Sequence, residues 1–213
     1  MRRVLLVAAL LGSPAIARPQ QAPAARPGLP AGWVGRADDN GDISKVSFNA
    51  MSRGWHVVTG PIHGIFYKPE TTAAGNYTAT LDAFFFGPPG QYPEGYGIFV
   101  GGKDLAGPGQ AYLYFVAANN GKFLIKKRTG AATANVVDWT ASSAIKTVPS
   151  GSNANAENVF KIQARKDSVL FSINDVVVAT RPRSELAVDG IAGFRINHSL
   201  SIHVAGLTVA QGK

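Results

Sequence analysis

The sequence predicts an all-β fold, an antiparallel β-sandwich of the jelly-roll kind, on three observations. In the stretch from Glu157 to Thr180, Phe160, Ile162 and Ala164 alternate with Lys161 and Gln163, and Val169, Phe171 and Ile173 alternate with Ser172 and Asn174. That is the period of a strand with one buried face. Asn174-Asp175 then supplies two residues that tolerate positive φ just before Val176, so the stretch reads as three antiparallel strands joined by two tight turns. Second, Asn120-Gly121, between AYLYFVAAN and KFLIKKR, is the strongest hairpin signal in the chain. Third, about a dozen short strands are spaced along the sequence without an amphipathic helical window, which is the spacing of a sandwich.

Taken in order, the chain opens on MRRVLLVAALLGSPAIA, in which Arg2 and Arg3 precede an apolar run and a small-residue site ends at Ala17. This is the pattern of a secretory signal peptide over residues 1–17, too short to span a bilayer. A secreted or periplasmic protein is expected, without a membrane span and away from nucleic acid. The formal charge of +8 includes Arg2 and Arg3, so the mature chain keeps +6 and suits acidic polysaccharide or an anionic surface. Residues 18–32, RPQQAPAARPGLPAG, read as a flexible Pro/Ala-rich leader, and residues 33–213 as one sandwich domain. A length of 213 residues, 46% hydrophobic, supports a core without staples, and the absence of cysteine removes disulfides and thiolate metal sites.

In ADDNGD, Asp38, Asn40 and Asp42 mimic the opening of a calcium loop, but Gly41 and Asn49 occupy the wrong places and an Asx-rich turn is expected. Strands are expected at Trp55 to Thr59, Ile62 to Tyr67 and Tyr77 to Phe86, the last with Tyr77, Ala79, Leu81, Ala83 and Phe85 on one face. The loop Gly87 to Gly95 carries Tyr92 and Glu94 and is the candidate functional loop. Strands Tyr96 to Val100 and Ala111 to Ala117 follow. With a two-residue turn at Asn120-Gly121, Tyr114 is expected opposite Lys127 and Phe115 opposite Lys126. Apolar residues on both faces put this hairpin in the middle of a sheet. Val136 to Ser143 reads as a strand end and loop anchored by Trp139, and Gly190 to Ile196 and Leu200 to Val209 are the closing strands.

The segments NVFKIQARKDSVLFSINDVVVA, GIAGFRI and SIHVAGLTV resemble the C-terminal half of the concanavalin A-like lectin/glucanase fold, in particular its laminin G-like members. Within it the chain is most similar to the 3-keto-disaccharide hydrolase domains of exported bacterial proteins, over about Trp55 to Val209. That resemblance implies a sandwich fold, a glycan partner and, from the subfamily, cleavage of 3-oxo-glycosides.

The residues themselves carry little catalytic signal. Sandwich glucanases supply paired carboxylates as Glu-x-Asp-x-x-Glu, which does not occur here; Glu94 with Asp104 is the candidate pair assembled across loops. His56, His63, His198 and His203 lack zinc-site spacing, and no Gly-x-Ser-x-Gly elbow occurs. Sugar binding needs an aromatic face with nearby polar groups, and Tyr92, Tyr96, Tyr112, Tyr114, Lys103, Lys127 and Arg195 are the candidates. The expected function is a carbohydrate-binding module that does not cut its ligand. A glycoside-cleaving hydrolase or lyase and a structural envelope module are the rivals. No cofactor is implied, and a calcium ion in the sheet is left open.

Overall fold

The computed structural model describes residues 28–86, 94–149 and 154–212. Its strands are β1 (Val34–Ala37), β2 (Ser47–Ala50), β3 (Trp55–Val58), β4 (Gly64–Ala73), β5 (Tyr77–Phe86), β6 (Gly95–Lys103) and β7 (Ala111–Ala118). They continue with β8 (Lys122–Thr129), β9 (Ala132–Ala141), β10 (Asn155–Ala164), β11 (Ser168–Ile173), β12 (Val176–Pro182), β13 (Gly190–Ile196) and β14 (Ser201–Gln211). Two sheets of seven strands result, in the orders β1-β4-β13-β6-β7-β8-β9 and β12-β11-β10-β5-β14-β3-β2. Every pairing between them is antiparallel. The sequence expectation of an all-β antiparallel sandwich holds.

The alternation in β5, β10 and β11 turns one face of the second sheet inward. Leu81, Phe85, Phe160, Ile162, Phe171 and Ile173 meet Tyr96, Ile98, Leu113, Phe115 and Phe123 of the first sheet in a continuous core. Phe115 is its centre, with edge-on rings from Phe123, Phe160 and Phe171. The turn at Asn174 and Asp175, with φ of 51° and 66°, has the double positive φ anticipated for a tight hairpin. Asn158 is the buried polar hub of this core: its side chain ties the Lys146 backbone, Asn174 and the Tyr96 hydroxyl together.

Several expectations shift. The β7–β8 hairpin closes with three residues, Asn119, Asn120 and Gly121, because Gly121 adopts φ 76° and its N–H bonds to Ala118. The register therefore moves by one, and Tyr114 faces Lys126 and Phe115 faces Ile125. Central placement of the hairpin holds, since β7 has buried residues on both faces. The strand beginning near Ile62 runs on to Ala73, and β9 starts at Ala132, well before the expected Val136. Leu29, assigned by composition to the leader, is 6% exposed and belongs to the core, so packing begins ahead of Trp33. The expected signal peptide, the leader up to residue 27, Tyr92 and most of its loop lie outside the described residues. Among the described residues, no helix is long and apolar enough to cross a membrane.

Candidate functional site

The first sheet buries apolar residues on its outer face as well as on its inner one. Ile65, Tyr67, Phe99, Tyr112, Tyr114, Val116 and Leu124 form a second hydrophobic cluster there, joined by Leu105 from the loop after β6. Gly193 of β13 makes the packing fit, because a Cβ at that position would stand 2.3 Å from the Phe99 ring. Upon this cluster lies an ion triad. Asp38 Oδ2 accepts hydrogen bonds from Arg128 Nη2 and Arg195 Nη2, both at 2.8 Å, with the three side chains only 3%, 11% and 6% exposed. Arg195 Nη1 also donates to the Tyr112 hydroxyl at 3.2 Å, and its guanidinium lies 4.8 Å from the centre of the Tyr114 ring. Burial works against the Arg195 cation, yet the surrounding Tyr112, Asp38 and Tyr114 hold its pKa above the ordinary guanidinium value. Burial likewise raises the Tyr112 and Tyr114 hydroxyls.

Beside the triad opens a cavity of about 330 Å³, lined among others by Asp38, Tyr114, Val116, Lys126, Arg128 and Arg195, with the indole of Trp139 at its edge. Trp139 is 39% exposed, the one large aromatic ring left open on this face among the described residues. Three buried polar atoms, Asp38 Oδ1, Arg128 Nε and Arg195 Nε, have no hydrogen-bond partner in the protein. At the rim, loop ends bring two carboxylate–histidine pairs together: Asp39 with His63 at 3.1 Å and Glu94 with His198 at 3.2 Å. The two imidazoles stand 5.5 Å apart. Polar groups converging on an apolar floor in a cleft of this volume are the makings of a small-ligand site.

Of the residues singled out from sequence, Tyr114 and Arg195 meet at this cavity, with Tyr112 bonded to Arg195 beneath it. Lys103 and Lys127 line a separate cavity of about 90 Å³, which Tyr112 also borders. Tyr96 is a correction. Its parity in β6 turns it inward, where it packs on Phe85 and Phe160, and burial drives its hydroxyl pKa far up despite the bond from Asn158. The pair Glu94 and Asp104 is another correction: the two flank the nine-residue β6 at opposite ends, on the order of 25 Å apart, far beyond the ~5 Å of a retaining pair. Asp104 instead accepts from the Gly109 N–H and shapes its own loop.

Sequence reasoning missed Asp38, Lys126, Arg128, His63, His198 and Asn197. Lys126 and Arg128 are the neighbours of Lys127, displaced from notice by the one-residue error in register. Asp38 sits where the Asx-rich turn begins, with Asp39 and Asn40 at positive φ and Asp42 capping the next short turn through Ser44. Those Ser44 bonds hold the Asp42 carboxyl below its ordinary pKa. Among the described residues no group of three or more His, Asp or Glu is placed to hold a metal ion.

No family model matches the chain, and no curated protein matches it either. Solved structures do. The chain is similar to carbohydrate-binding module CBM66 from Bacillus subtilis, with a TM-score of 0.59 and 10% identity over 84% of this chain and 96% of that one. It is similar to a Bacillus subtilis protein of unknown function with a galectin-like fold, at TM-score 0.58 and 19% identity, over 84% and 89% of the two chains. A third is the GH16 protein of the Bacteroides ovatus mixed-linkage glucan PUL, in complex with G4G4G3G product, at 0.56 and 9% over 83% and 94%. Together with the two seven-stranded sheets, these likenesses show the fold to be that of the concanavalin A-like lectins and glucanases.

Proposed function

We propose that this protein is an exported carbohydrate-binding module that holds its glycan, uncut, on the outer face of the first sheet. The observation that carries the reading is the 330 Å³ cavity in which an open indole, Trp139, stands across from the buried Asp38–Arg128–Arg195 triad. A pyranose offers an apolar ring face and a rim of hydroxyls. Trp139 suits the first, while Asp38 Oδ1, Lys126, Arg128 and Arg195 suit the second. The fold's likeness to CBM66 supports the same class of ligand. The pattern of residues 1–17 supports export with cleavage near Ala17. A single sugar of about twelve heavy atoms at ~0.3 kcal/mol each corresponds to millimolar affinity, so the assay is retention by polysaccharides, where multivalency helps. Wild-type protein is expected to be retarded in gels containing its polysaccharide, and Trp139→Ala to weaken that retardation about tenfold. Equal retention of both proteins would remove this cavity as the site.

A second reading, glycoside cleavage, is favoured by one observation: the Asp39–His63 and Glu94–His198 pairs face each other at the cavity rim. His63 Nε2 is hydrogen-bonded to Asp39 Oδ2, and an imidazole so oriented is a serviceable general base. Mass spectrometry after incubation with oligosaccharides, including 3-oxo forms, distinguishes the two readings. New product masses that vanish in His63→Asn and Glu94→Gln proteins would establish the enzyme; intact substrates would leave the binding module.

A further inference from the structure

Trp139 points outward because of how β9 pairs. Phe123 pairs with Thr140 and Ile125 with Val137, so the single Leu124 of β8 is opposed by two residues, Asp138 and Trp139. That is a β-bulge, and it changes parity. Val137 packs against the core between the sheets, and strict alternation would carry Trp139, two residues further on, to the same inner face. With one residue inserted, Trp139 instead lines the outer cavity together with Leu124 and Val116. Side chains hold the bulge in shape. The Asn135 amide donates to Asp138 Oδ1, and the Thr140 hydroxyl donates to the Asp138 carbonyl oxygen at 2.7 Å.

The seat of the indole is prepared as well. Its far corner, Cη2, stands 3.4 Å from where a Cβ on Gly95 would be, and a methyl of Val116 stands 2.8 Å from the same point. Since β8 and β7 lie between β9 and β6 in the sheet, the ring leans inward over the outer face rather than away from the edge. Gly95 is not in the left-handed region, so backbone conformation does not call for glycine here. What it supplies is room: a branched side chain at this position would take the space the indole fills. An aromatic ring on an edge strand otherwise samples several rotamers and gives up that freedom when a ligand binds.

We infer that Asp138 and Gly95 are positioning residues for the glycan site: the bulge closed by Asp138 turns Trp139 to the outer face, and the gap at Gly95 seats its ring over the cavity. This rests on the glycan-binding reading above. Neither residue needs to touch the sugar.

The full chain is labelled with 5-fluorotryptophan, which gives one fluorine signal each for Trp33, Trp55 and Trp139, the last assigned by its loss in Trp139→Ala. Asp138→Ala and Gly95→Val are expected to move the Trp139 signal, while Asp138→Asn, which keeps the acceptor oxygen, leaves it in place. In polysaccharide gels Gly95→Val is expected to weaken retardation about tenfold and Asp138→Ala about threefold, with Asp138→Asn like wild type. Adding either change to Trp139→Ala is expected to weaken retention no further, because both act through the ring. Should Gly95→Val not fold, Asp138→Ala and Asp138→Asn carry the same test. A Trp139 signal that stays at its wild-type position in the folded variants, or losses of retention that add to that of Trp139→Ala, overturns the inference and leaves the glycan-binding reading standing. If wild-type protein is retained by no polysaccharide, that reading falls, and the fluorine spectra alone decide whether Asp138 and Gly95 place the ring.

Discussion

The outer face of the second sheet is ordinary: Thr78, Thr80 and Asp82 of β5 pair across with Gln163, Lys161 and Val159 of β10, and none of the β5 three is fully buried. On the first sheet, by contrast, β6 and β7 are buried along almost their whole length on both faces. Among the described residues, no helix covers that outer face. Its own long side chains do, with Arg195 and Arg128 lying over tyrosine rings and closed by Asp38. The comparison teaches that one sheet uses its outside for solubility and the other for a preorganised polar constellation on an apolar floor. Such an arrangement costs stability if its charges are left unpaired.

The largest test of this contrast is to remove the keystone of each face. Asp38→Ala leaves two buried guanidinium groups without their shared carboxylate and is expected to cost about 3–5 kcal/mol, lowering Tm by roughly 10 °C or more. Thr80→Ala, at a half-exposed position in the centre of the other sheet, is expected to stay within about 0.5 kcal/mol. Thermal unfolding of the two variants side by side reads the difference directly. Equal shifts would mean that the triad is no more than a surface network.

A smaller effect separates the core from the site. Tyr96→Phe deletes the hydroxyl that accepts from Asn158, a residue with no exposed surface, and is expected to cost about 1 kcal/mol with glycan retention unchanged. Trp139→Ala is expected to do the reverse, losing glycan while Tm moves by about 2 °C or less. If Tyr96→Phe weakened binding as much as Trp139→Ala, the assignment of Tyr96 to the core would lose its functional meaning.

The same contrast governs what could be read in advance. The strands of the second sheet alternate because only one of their faces is dry, so β5 and the β10–β12 run were legible to within two residues. In β6 and β7 both faces are dry and the alternation disappears. Parity then had to come from the turn, and Asn119-Asn120-Gly121 is compatible with a loop of two or three residues. One residue of slip exchanged Lys127 for Lys126 and Arg128, and in β6 apolar parity gave no sign that Tyr96 points inward. Asp38 was hidden differently: a local turn chemistry sufficient to explain ADDNGD gave no hint of partners 90 and 157 residues away. Edge strand β9, with its run of Ala, Thr and Asn, lacks the hydrophobic pattern by which strands are recognised.

The smallest expected effect lies on the ordinary face and is a matter of pH. His203 of β14 sits beside Phe84 and His56, and is 7% exposed; burial first and the neighbouring His56 second hold its pKa below 6.5, with Arg53 acting the same way and Asp82 opposing. The fold therefore favours the neutral ring. Its contribution is fully present above pH 6.5, and as the pH falls below that value the unfolded chain takes up the proton first, so stability declines until the folded pKa is passed. Comparing Tm at pH 7.5 and pH 5 for wild type and His203→Gln isolates this group, and the wild-type drop is expected to exceed the variant's by about 1–2 °C. The difference is small because Asp82, held by Arg53 at 2.8 Å, stands ready on the same face to stabilise the imidazolium. A larger drop in the variant would reverse the sign and place Asp82, rather than burial, in control of His203.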